Sequence, residues 1–301
     1  MTDAKAPEVG IAQELDAGLR RILAPNPSPM TYWGTNTYLL GRSEITVIDP
    51  GPADPRHLDA ILAALETGQK ISKIVVTHAH LDHSPLASML SDRTGAPIYA
   101  FGDHLAGRSE IMQKLSAQGF LGGGEGVDAA FKPDVLVAHG DKIDIEVGQL
   151  EFLHTPGHFG NHISLALGDI CFTGDHVMGW ASSLVSPPDG DLTDFMASCD
   201  LLAARKWRRF HAGHGAPIED PNDRLTWLIT HRKGREKEIL DTLSKASDTA
   251  EGLARKIYTD VNPALLPAAA RNVFAHLVDL TGRGLAKQTQ GIEFTSPFEI
   301  S

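Results

Sequence analysis

An apolar run that passes at once into a dense group of polar side chains is the feature that most constrains this chain. Residues 74–84 read IVVTHAHLDHS, so strand-forming residues are followed by three histidines and an aspartate. A solvated loop does not need such a set, and a packed core would have to hydrogen-bond every member of it. The pattern therefore indicates side chains held at a strand end for chemistry.

The spacing of these four side chains suits metal binding. In an extended backbone residues i and i+2 project to the same side, so His78 and His80 can reach one ion. Asp82 and His83 follow a turn later and can bind a second ion. Imidazole and carboxylate suit zinc first, with iron, manganese and cobalt as alternatives. Ordinary core or surface histidines are the competing interpretation, which explains a single histidine better than it explains four ligands at this spacing.

Three later stretches add ligand-type side chains beside turns and at strand ends, where a rigid sheet can hold them. They are HTPGHFGNH (154–162), TGDH (173–176) and AGHG (212–215). Three further histidines in them are candidates for hydrogen bonds to the ligands or for protonating a leaving group: His154, His162 and His176. Asp49, in an Asp-Pro-Gly turn, is a candidate for a hydrogen bond to a ligand histidine. Core, capping or turn roles are the alternatives for all four.

The hydrophobic pattern changes character along the chain. Alternating or continuous apolar runs predict strands at 38–40, 45–48, 73–76, 97–100, 134–138, 142–146, 150–154, 163–167, 170–172 and 209–211, with helices near 58–65 and 194–204. A helix and a glycine-rich loop are expected between 101 and 132, and three helices at 222–244, 249–258 and 264–284. We therefore predict an α/β chain with an αββα-type domain at 1–220 and a small helical domain at 221–301.

Charge and composition restrict the function classes. The net charge is −11, which argues against general attraction to nucleic acid or anionic membranes. Residues 231–287 hold ten Lys and Arg against seven Asp and Glu, a mild excess of +3. Two cysteines cannot form a disulfide framework, and the chain has no run of about 18 apolar residues. We therefore expect a cytoplasmic protein with no membrane span.

The motifs THAHLDH, TPGH, TGDH and GHG, in this order and spacing, resemble the signature of the metallo-β-lactamase superfamily over roughly residues 30–218. The resemblance implies an αββα sandwich with a metal site at one edge of the two sheets. It implies a first metal ion bound by three histidines, a second bound by an aspartate and two histidines, and one bridging aspartate. These residues are His78, His80 and His158, then Asp82, His83 and His214, and finally Asp175.

Further stretches resemble the lactamase-β-like protein 2 group: NPSPMTYWGTNTYLLG, GDHVMG and PPDGDLTDFMASCDLL. In that group the appended segment is a winged helix, and members include an endoribonuclease for single-stranded RNA and many hydrolases. The residues after THAHLDH and TPGH, and the alanine before GHG, depart from the usual pattern. They border the pocket, so its shape is where this chain is expected to differ.

The expected function is that of a metal-dependent hydrolase, with two Zn2+ ions that supply a metal-bound hydroxide at neutral pH. Iron or manganese are the alternative metals. Asp82 and Asp175 are the expected catalytic residues, with Asp82 orienting the nucleophile or carrying its proton. The expected substrate is a small ester, thioester or amide. The alternative activities are those of an endoribonuclease or phosphodiesterase acting on single-stranded nucleic acid and of an iron-dependent oxidoreductase. The expected assembly, if any, is a homodimer.

Overall fold

The computed structural model describes residues 5–120, 122, 126–288 and 291–301. Its strands are β1 (Gln13–Asp16), β2 (Leu19–Leu23), β3 (Asn36–Leu40), β4 (Glu44–Ile48), β5 (Lys70–Val75), β6 (Ile98–Ala100), β7 (Val135–Leu136), β8 (Lys142–Ile145), β9 (Gly148–His154), β10 (Ile163–Leu167), β11 (Ile170–Gly174), β12 (Arg209–Ala212), β13 (Ala286–Lys287) and β14 (Glu299–Ile300). Its helices are α1 (Pro55–Ala63), α2 (Leu86–Thr94), α3 (Glu110–Ala117), α4 (Leu192–Ala203), α5 (Pro221–Leu243), α6 (Ala250–Ile257) and α7 (Leu266–Gly282), with a 3-10 turn at Pro263–Leu265.

Two mixed sheets form the centre of the N-terminal part. One has seven strands in the order β1 to β7, and the other has five in the order β12-β11-β10-β9-β8. Strands β4 to β7 pair in parallel, and β12 pairs in parallel with β11, while the other pairs are antiparallel. The parallel strands β5, β11 and β12 are the ones whose carboxyl ends lead into the histidine and aspartate motifs.

The two sheets pack face to face because each strand buries alternate residues on opposite sides. Tyr38, Leu40 and Ile48 of the first sheet meet Phe152 and Phe172 of the second in the layer between the sheets. Their neighbours in sequence point outwards and pack under helices. Strands buried on both faces explain why these segments read as nearly continuous apolar runs.

Helices cover both outer faces. Leu58 of α1 and Leu90 of α2 pack with Leu39 and Val47 outside the first sheet. Phe195 of α4 packs with other outward residues against the second sheet, together with the first part of α5. Asp54 caps the start of helix α1, since its side chain accepts from the Arg56 amide, and a proline at the first helical position favours that start. The predicted αββα layering is therefore confirmed.

The C-terminal helices have a core of their own. Phe274 of α7 packs with Leu253 of α6 and Leu243 of α5, and Met112 and Leu115 of α3 join this cluster. Strands β13 and β14 form a small antiparallel hairpin beside it. Helix α5 spans both parts, since Leu225 and Leu228 belong to the core under the second sheet. The domain boundary between residues 220 and 221 therefore stays a prediction.

Most predicted elements are present with ends shifted by a few residues. The structure adds helix α2, hairpin β1–β2 and strands β13 and β14, which the sequence pattern did not predict. Strands β1, β13 and β14 are short or largely exposed, so they carry little periodic signal. Strand β2 is buried, but two arginines interrupt its apolar run. The expected glycine-rich loop lies partly outside the described residues. Within the described ranges, no helix combines the length and the hydropathy needed to cross a bilayer.

Candidate metal centre

The seven predicted ligand residues come from four segments that meet at one edge of the sandwich. Residues 77–83 follow β5, residues 155–162 connect β9 to β10, Asp175 follows β11, and residues 213–215 follow β12. The backbone joins two of these segments directly, because the amide of Gly213 donates to the carbonyl of Gly174 at 2.7 Å. The sheet thus brings together side chains that are up to 136 positions apart in the sequence.

Three histidines form one compact group, the three-histidine cluster (His78, His80 and His158). Nε2 of His78 lies 3.0 Å from Nδ1 of His80. Nε2 of His158 lies 3.1 Å from the same Nδ1 atom. All three side chains are buried. Ring nitrogens from two distant segments of the chain therefore converge on one point.

The remaining four residues form a second group, the Asp–His cluster (Asp82, His83, Asp175 and His214). Nε2 of His214 lies 3.1 Å from Oδ2 of Asp82 and 3.1 Å from Oδ2 of Asp175. Nε2 of His83 lies 3.4 Å from one oxygen of each carboxylate. The donor atoms within each cluster lie within 4.8 Å of one another.

Asp175 lies between the two clusters. Its Oδ2 atom is 3.1 Å from Nε2 of His214 and 3.8 Å from Nε2 of His158. One carboxylate oxygen thus faces a histidine from each group, which is the placement expected of a bridging ligand. The structure brings together all seven predicted residues, and the metal-binding role of each stays a prediction.

The histidine rings are oriented from behind by their other nitrogen atoms. Nδ1 of His83 lies 2.8 Å from Oδ2 of Asp49, and the same oxygen accepts from the Thr77 hydroxyl at 2.7 Å. That hydroxyl lies 3.0 Å from Nδ1 of His78. Since the hydroxyl proton goes to Asp49, Nδ1 of His78 must donate, which leaves the Nε2 lone pair pointing into the cluster. Asp49 thus acts as expected, while the linking role of Thr77 was not predicted.

Backbone carbonyls orient two more rings. Nδ1 of His158 donates to the carbonyl of Leu184 at 2.8 Å, and Nδ1 of His214 donates to the carbonyl of Gly34 at 3.1 Å. Both bonds leave Nε2 as the ring atom that faces the cluster. Sequence motifs cannot show such partners, because any residue type can supply a carbonyl.

The loop that carries Leu184 is itself held by the C-terminal helices. Oδ1 of Asn272 on α7 accepts from the amide of Val185 at 3.0 Å and from Nη1 of Arg232 on α5 at 2.9 Å. The other guanidinium nitrogen of Arg232 donates to the carbonyl of Ser183. Arg232 is 2% exposed, so this cation is committed to the loop rather than to solvent. A residue of the basic C-terminal segment thus supports a candidate ligand.

Burial and charge set the protonation of the rings. Burial lowers the pKa of His80 to about 3 and lowers the pKa of His78 well below its usual value, so both rings are neutral as metal ligands require. Burial would also lower the pKa of His214, but the carboxylates of Asp175 and Asp82 raise it to about 10. The ring of His214 therefore holds a proton against these carboxylates, and a bound cation would take over that role.

The donor set fits divalent metal. Nε2 lone pairs of two histidines point at the same ring nitrogen of His80, an arrangement that a cation between them would satisfy. Oδ1 of Asp82 and Oδ1 of Asp175 are buried and accept no hydrogen bond from any described residue. Buried, unpaired carboxylate oxygens are costly unless a cation compensates them. Three imidazoles on one side and two imidazoles with two carboxylates on the other suit zinc and neighbouring transition metals.

The three other candidate histidines lie next to the centre but do not hydrogen-bond to the seven residues within the described structure. Nε2 of His154 lies 3.0 Å from the carbonyl of Gly160, and its ring stacks on Phe101 at 3.7 Å. Nδ1 of His162 lies 3.0 Å from the Thr155 hydroxyl, and Nε2 of His176 lies 3.5 Å from the Cys199 sulfur. Their predicted roles towards the ligands or a leaving group are not supported by these contacts.

A cavity of about 230 Å³ opens directly onto the metal-ligand candidates. Five of the seven residues line its floor: His80, Asp82, His158, Asp175 and His214. One wall comes from the N-terminal part and includes Met30, Met178 and Trp180, and the facing wall comes from the C-terminal segment. Among the described residues that line it, none is a lysine or an arginine.

Comparison with known proteins agrees with this architecture. The family model described as metallo-beta-lactamase superfamily matches residues 30–228, and the one described as beta-lactamase associated winged helix domain matches 249–293. A beta-lactamase-like protein 2 homolog of Drosophila melanogaster is 30% identical, with 90% of each chain covered. A crystal structure of a beta-lactamase domain protein from Burkholderia ambifaria superimposes with a TM-score of 0.81 at 20% identity, covering 99% of this chain and 96% of that one.

A more distant relative carries a name that describes an activity. A protein of Cryptosporiopsis sp. named atrochrysone carboxyl ACP thioesterase is 26% identical over 83% of this chain and 70% of its own length. The predicted resemblance is therefore confirmed, both for the sandwich and for the C-terminal winged helix. The chain belongs to the metallo-β-lactamase superfamily and has the fold and the candidate metal centre of a metal-dependent hydrolase.

Proposed function

We propose that this chain is a dinuclear zinc hydrolase that cleaves a carboxylic ester, thioester or related acyl bond in a small, weakly charged molecule. The observation that carries the proposal is the cavity over the two clusters, which joins converging metal-ligand candidates to walls in which no described residue is a lysine or arginine. A polyanionic substrate would need such cations close to the reacting bond. The thioesterase name of the Cryptosporiopsis relative supports the same bond class.

The two clusters and Asp82 would have separate roles in this reaction. The three-histidine cluster would hold one ion and the Asp–His cluster the other. When bound, two such ions lower the pKa of a water to about 7 and polarise a carbonyl oxygen. Oδ1 of Asp82 is buried and without a hydrogen-bond partner among described residues, so it can accept the proton of the attacking water. The water oxygen bonds to the carbonyl carbon, the bond to the alcohol or thiol breaks, and Asp82 returns the proton to that leaving group.

The nuclease alternative has little support in the charges of the C-terminal helices. Arg232 is buried. Six of the other basic residues of 231–287 form ion pairs with carboxylates, namely Arg235, Lys237, Arg255, Lys256, Arg283 and Lys287. A surface that follows a phosphate backbone needs clustered cations without such partners. Most of the cations in this segment are therefore buried or paired, which does not favour a nucleic-acid surface.

The two cysteines are free and buried, which supports the proposal of a reducing, cytoplasmic location. A homodimer stays a prediction, as does the preference for zinc over iron or manganese.

The test is a hydrolysis screen on protein of measured metal content. Acyl esters and thioesters are assayed beside single-stranded RNA, with the wild type and Asp82→Asn. We expect acyl turnover that depends on zinc and falls by about 10²-fold or more in the variant, with RNA left intact. RNA cleavage that disappears in Asp82→Asn, without acyl turnover, would support the nuclease instead. Iron as the only retained metal would support the oxidoreductase.

A further inference from the structure

The wall of the cavity that the C-terminal segment contributes is almost entirely apolar. It consists of Tyr258, Val261, Leu265, Ala268 and Ala269, from the end of α6, the connection after it and the start of α7. The first three are half-buried in the free chain, so their apolar surface faces the cavity rather than a filled core. Small side chains at 268 and 269 keep the space open.

The opposite wall is complementary in character. Pro29, Met30 and Met178 line the cavity from the N-terminal part, and Trp180, also in the lining, stacks on Tyr32 at a ring separation of 4.8 Å. Methionine fits irregular apolar ligands because its side chain is flexible and polarisable. Outside the floor, polar groups of the described lining are carried by Ser182, Asn272, Tyr258 and Trp180, and Asn272 is already bonded to Val185 and Arg232.

A ligand that fits both the floor and the walls must therefore combine a polar group with an apolar part. The floor offers metal-ligand candidates that suit a carbonyl or carboxylate group, and most of the side chains described in the walls are apolar. An aliphatic cavity of 150 Å³ accommodates benzene, so about 230 Å³ leaves room for an acyl chain of about six carbons above the reacting group.

We propose that Val261, Leu265 and Ala268 form an acyl-binding wall with which the C-terminal segment selects substrates by the length of their apolar acyl chain. This proposal rests on the proposed hydrolysis of acyl bonds and adds the substrate group that is recognised. In this proposal the C-terminal segment forms part of the active-site pocket and does not bind nucleic acid. Because the wall and the metal-ligand candidates belong to different parts of the chain, selectivity can change without loss of the candidate ligands.

Two substitutions test the wall in opposite directions. Ala268→Phe fills the cavity and should move the preferred chain to shorter acyl groups, while Leu265→Ala enlarges it and should move the preference to longer ones. Ala264→Phe is the matched control, because Ala264 lies in the same segment, is exposed and does not line the cavity. The assay is kcat/KM for straight-chain thioesters of two to twelve carbons with the zinc-loaded protein.

For the wild type we expect kcat/KM to rise about fourfold with each added methylene until the cavity is full, since burying one methylene contributes about 0.8 kcal/mol. Ala268→Phe should flatten this rise beyond about four carbons, and Ala264→Phe should leave it unchanged. A profile that is independent of chain length in the wild type, or equal in all four proteins, would overturn the proposal.

A binding experiment separates this proposal from the proposed hydrolysis. Straight-chain carboxylates, the reaction products, are titrated into the zinc-loaded protein by calorimetry. Affinity that rises with chain length in the wild type but not in Ala268→Phe supports the wall even if no ester or thioester is cleaved. If acyl substrates are cleaved but neither carboxylate affinity nor kcat/KM depends on chain length, the proposed hydrolysis stands and the acyl-binding wall is excluded.

Discussion

Asp49 and His83 are joined by a hydrogen bond of 2.8 Å between Oδ2 and Nδ1, in a position where neither residue is exposed by more than 2%. Asp49 also has φ of 49°, a left-handed conformation uncommon outside glycine. Backbone strain of this kind persists where the surroundings hold it in place. Here the carboxylate accepts from the amide and the hydroxyl of Thr77 as well, which links both clusters through one side chain.

We therefore expect Asp49→Asn to weaken binding of the second zinc ion by about 10–100-fold. Asparagine tolerates the left-handed conformation, so the backbone should be retained. Its amide would face Nδ1 of His83 with a donor and favour the tautomer that carries its proton on Nε2. Zinc titration with a competing chelator measures the effect. Asp134→Asn is the control, because that carboxylate accepts from the Ile98 amide on the same sheet. Equal affinity in Asp49→Asn and wild type would contradict the assignment.

His78→Ala should lower the metal content and the hydrolytic activity together, because a buried imidazole of the three-histidine cluster is lost. Elemental analysis should show about one zinc ion fewer per chain. His211→Leu is a suitable control, since His211 is also buried but stacks on Phe172 and meets Tyr38 edge-on in the layer between the sheets. Unchanged zinc content in His78→Ala would remove this residue from the ligand set.

Asn272→Ala should reduce both stability and metal affinity. It removes the acceptor for the Val185 amide and for the Arg232 guanidinium, which leaves buried donors unpaired at a cost of about 1–3 kcal/mol. The loop with the Leu184 carbonyl should loosen, so we expect zinc binding at the three-histidine cluster to weaken about tenfold. Urea unfolding and zinc titration measure the two effects. Asn262→Ala, which removes an exposed cap of the 3-10 turn, should change stability only slightly and leave zinc affinity intact. Loss of stability with normal zinc affinity would refute the link to His158.

His211 should make the metal-free protein sensitive to acid. Burial lowers its pKa from about 6.5 in the unfolded chain to about 3. The unfolded state therefore binds the proton first as the pH falls, so stability contributed by the neutral ring is full above pH 6.5 and is lost progressively between pH 6.5 and 3. From pH 7 to pH 5 the loss is about 2 kcal/mol. Urea unfolding in the presence of a chelator measures the fall in the free energy of unfolding from pH 7 to pH 5. This fall should be smaller in His211→Leu than in the wild type by that amount. An equal fall in both proteins would show that other groups cause the acid sensitivity.

The sequence by itself determined the ligand candidates and the fold class. THAHLDH, TPGH, TGDH and GHG follow or flank apolar strands, and short strands joined by turns fix such side chains at a sheet edge whatever the details of packing. The apolar runs were buried on both faces, as in β4 and β11, so their pattern survived in the fold. Strands β13 and β14 have two residues each and are mostly exposed, so they gave no signal.

Tertiary structure decided what surrounds those ligands. The carbonyls of Leu184 and Gly34 orient two rings, and every residue type has a carbonyl, so no motif marks them. The sequence does not distinguish Arg232 from the other basic residues of its segment. The tertiary structure shows that it is buried and donates to the loop that carries Leu184. The apolar wall of the cavity likewise arises where two distant parts of the chain face each other, because local sequence patterns report local geometry and not contacts between remote segments.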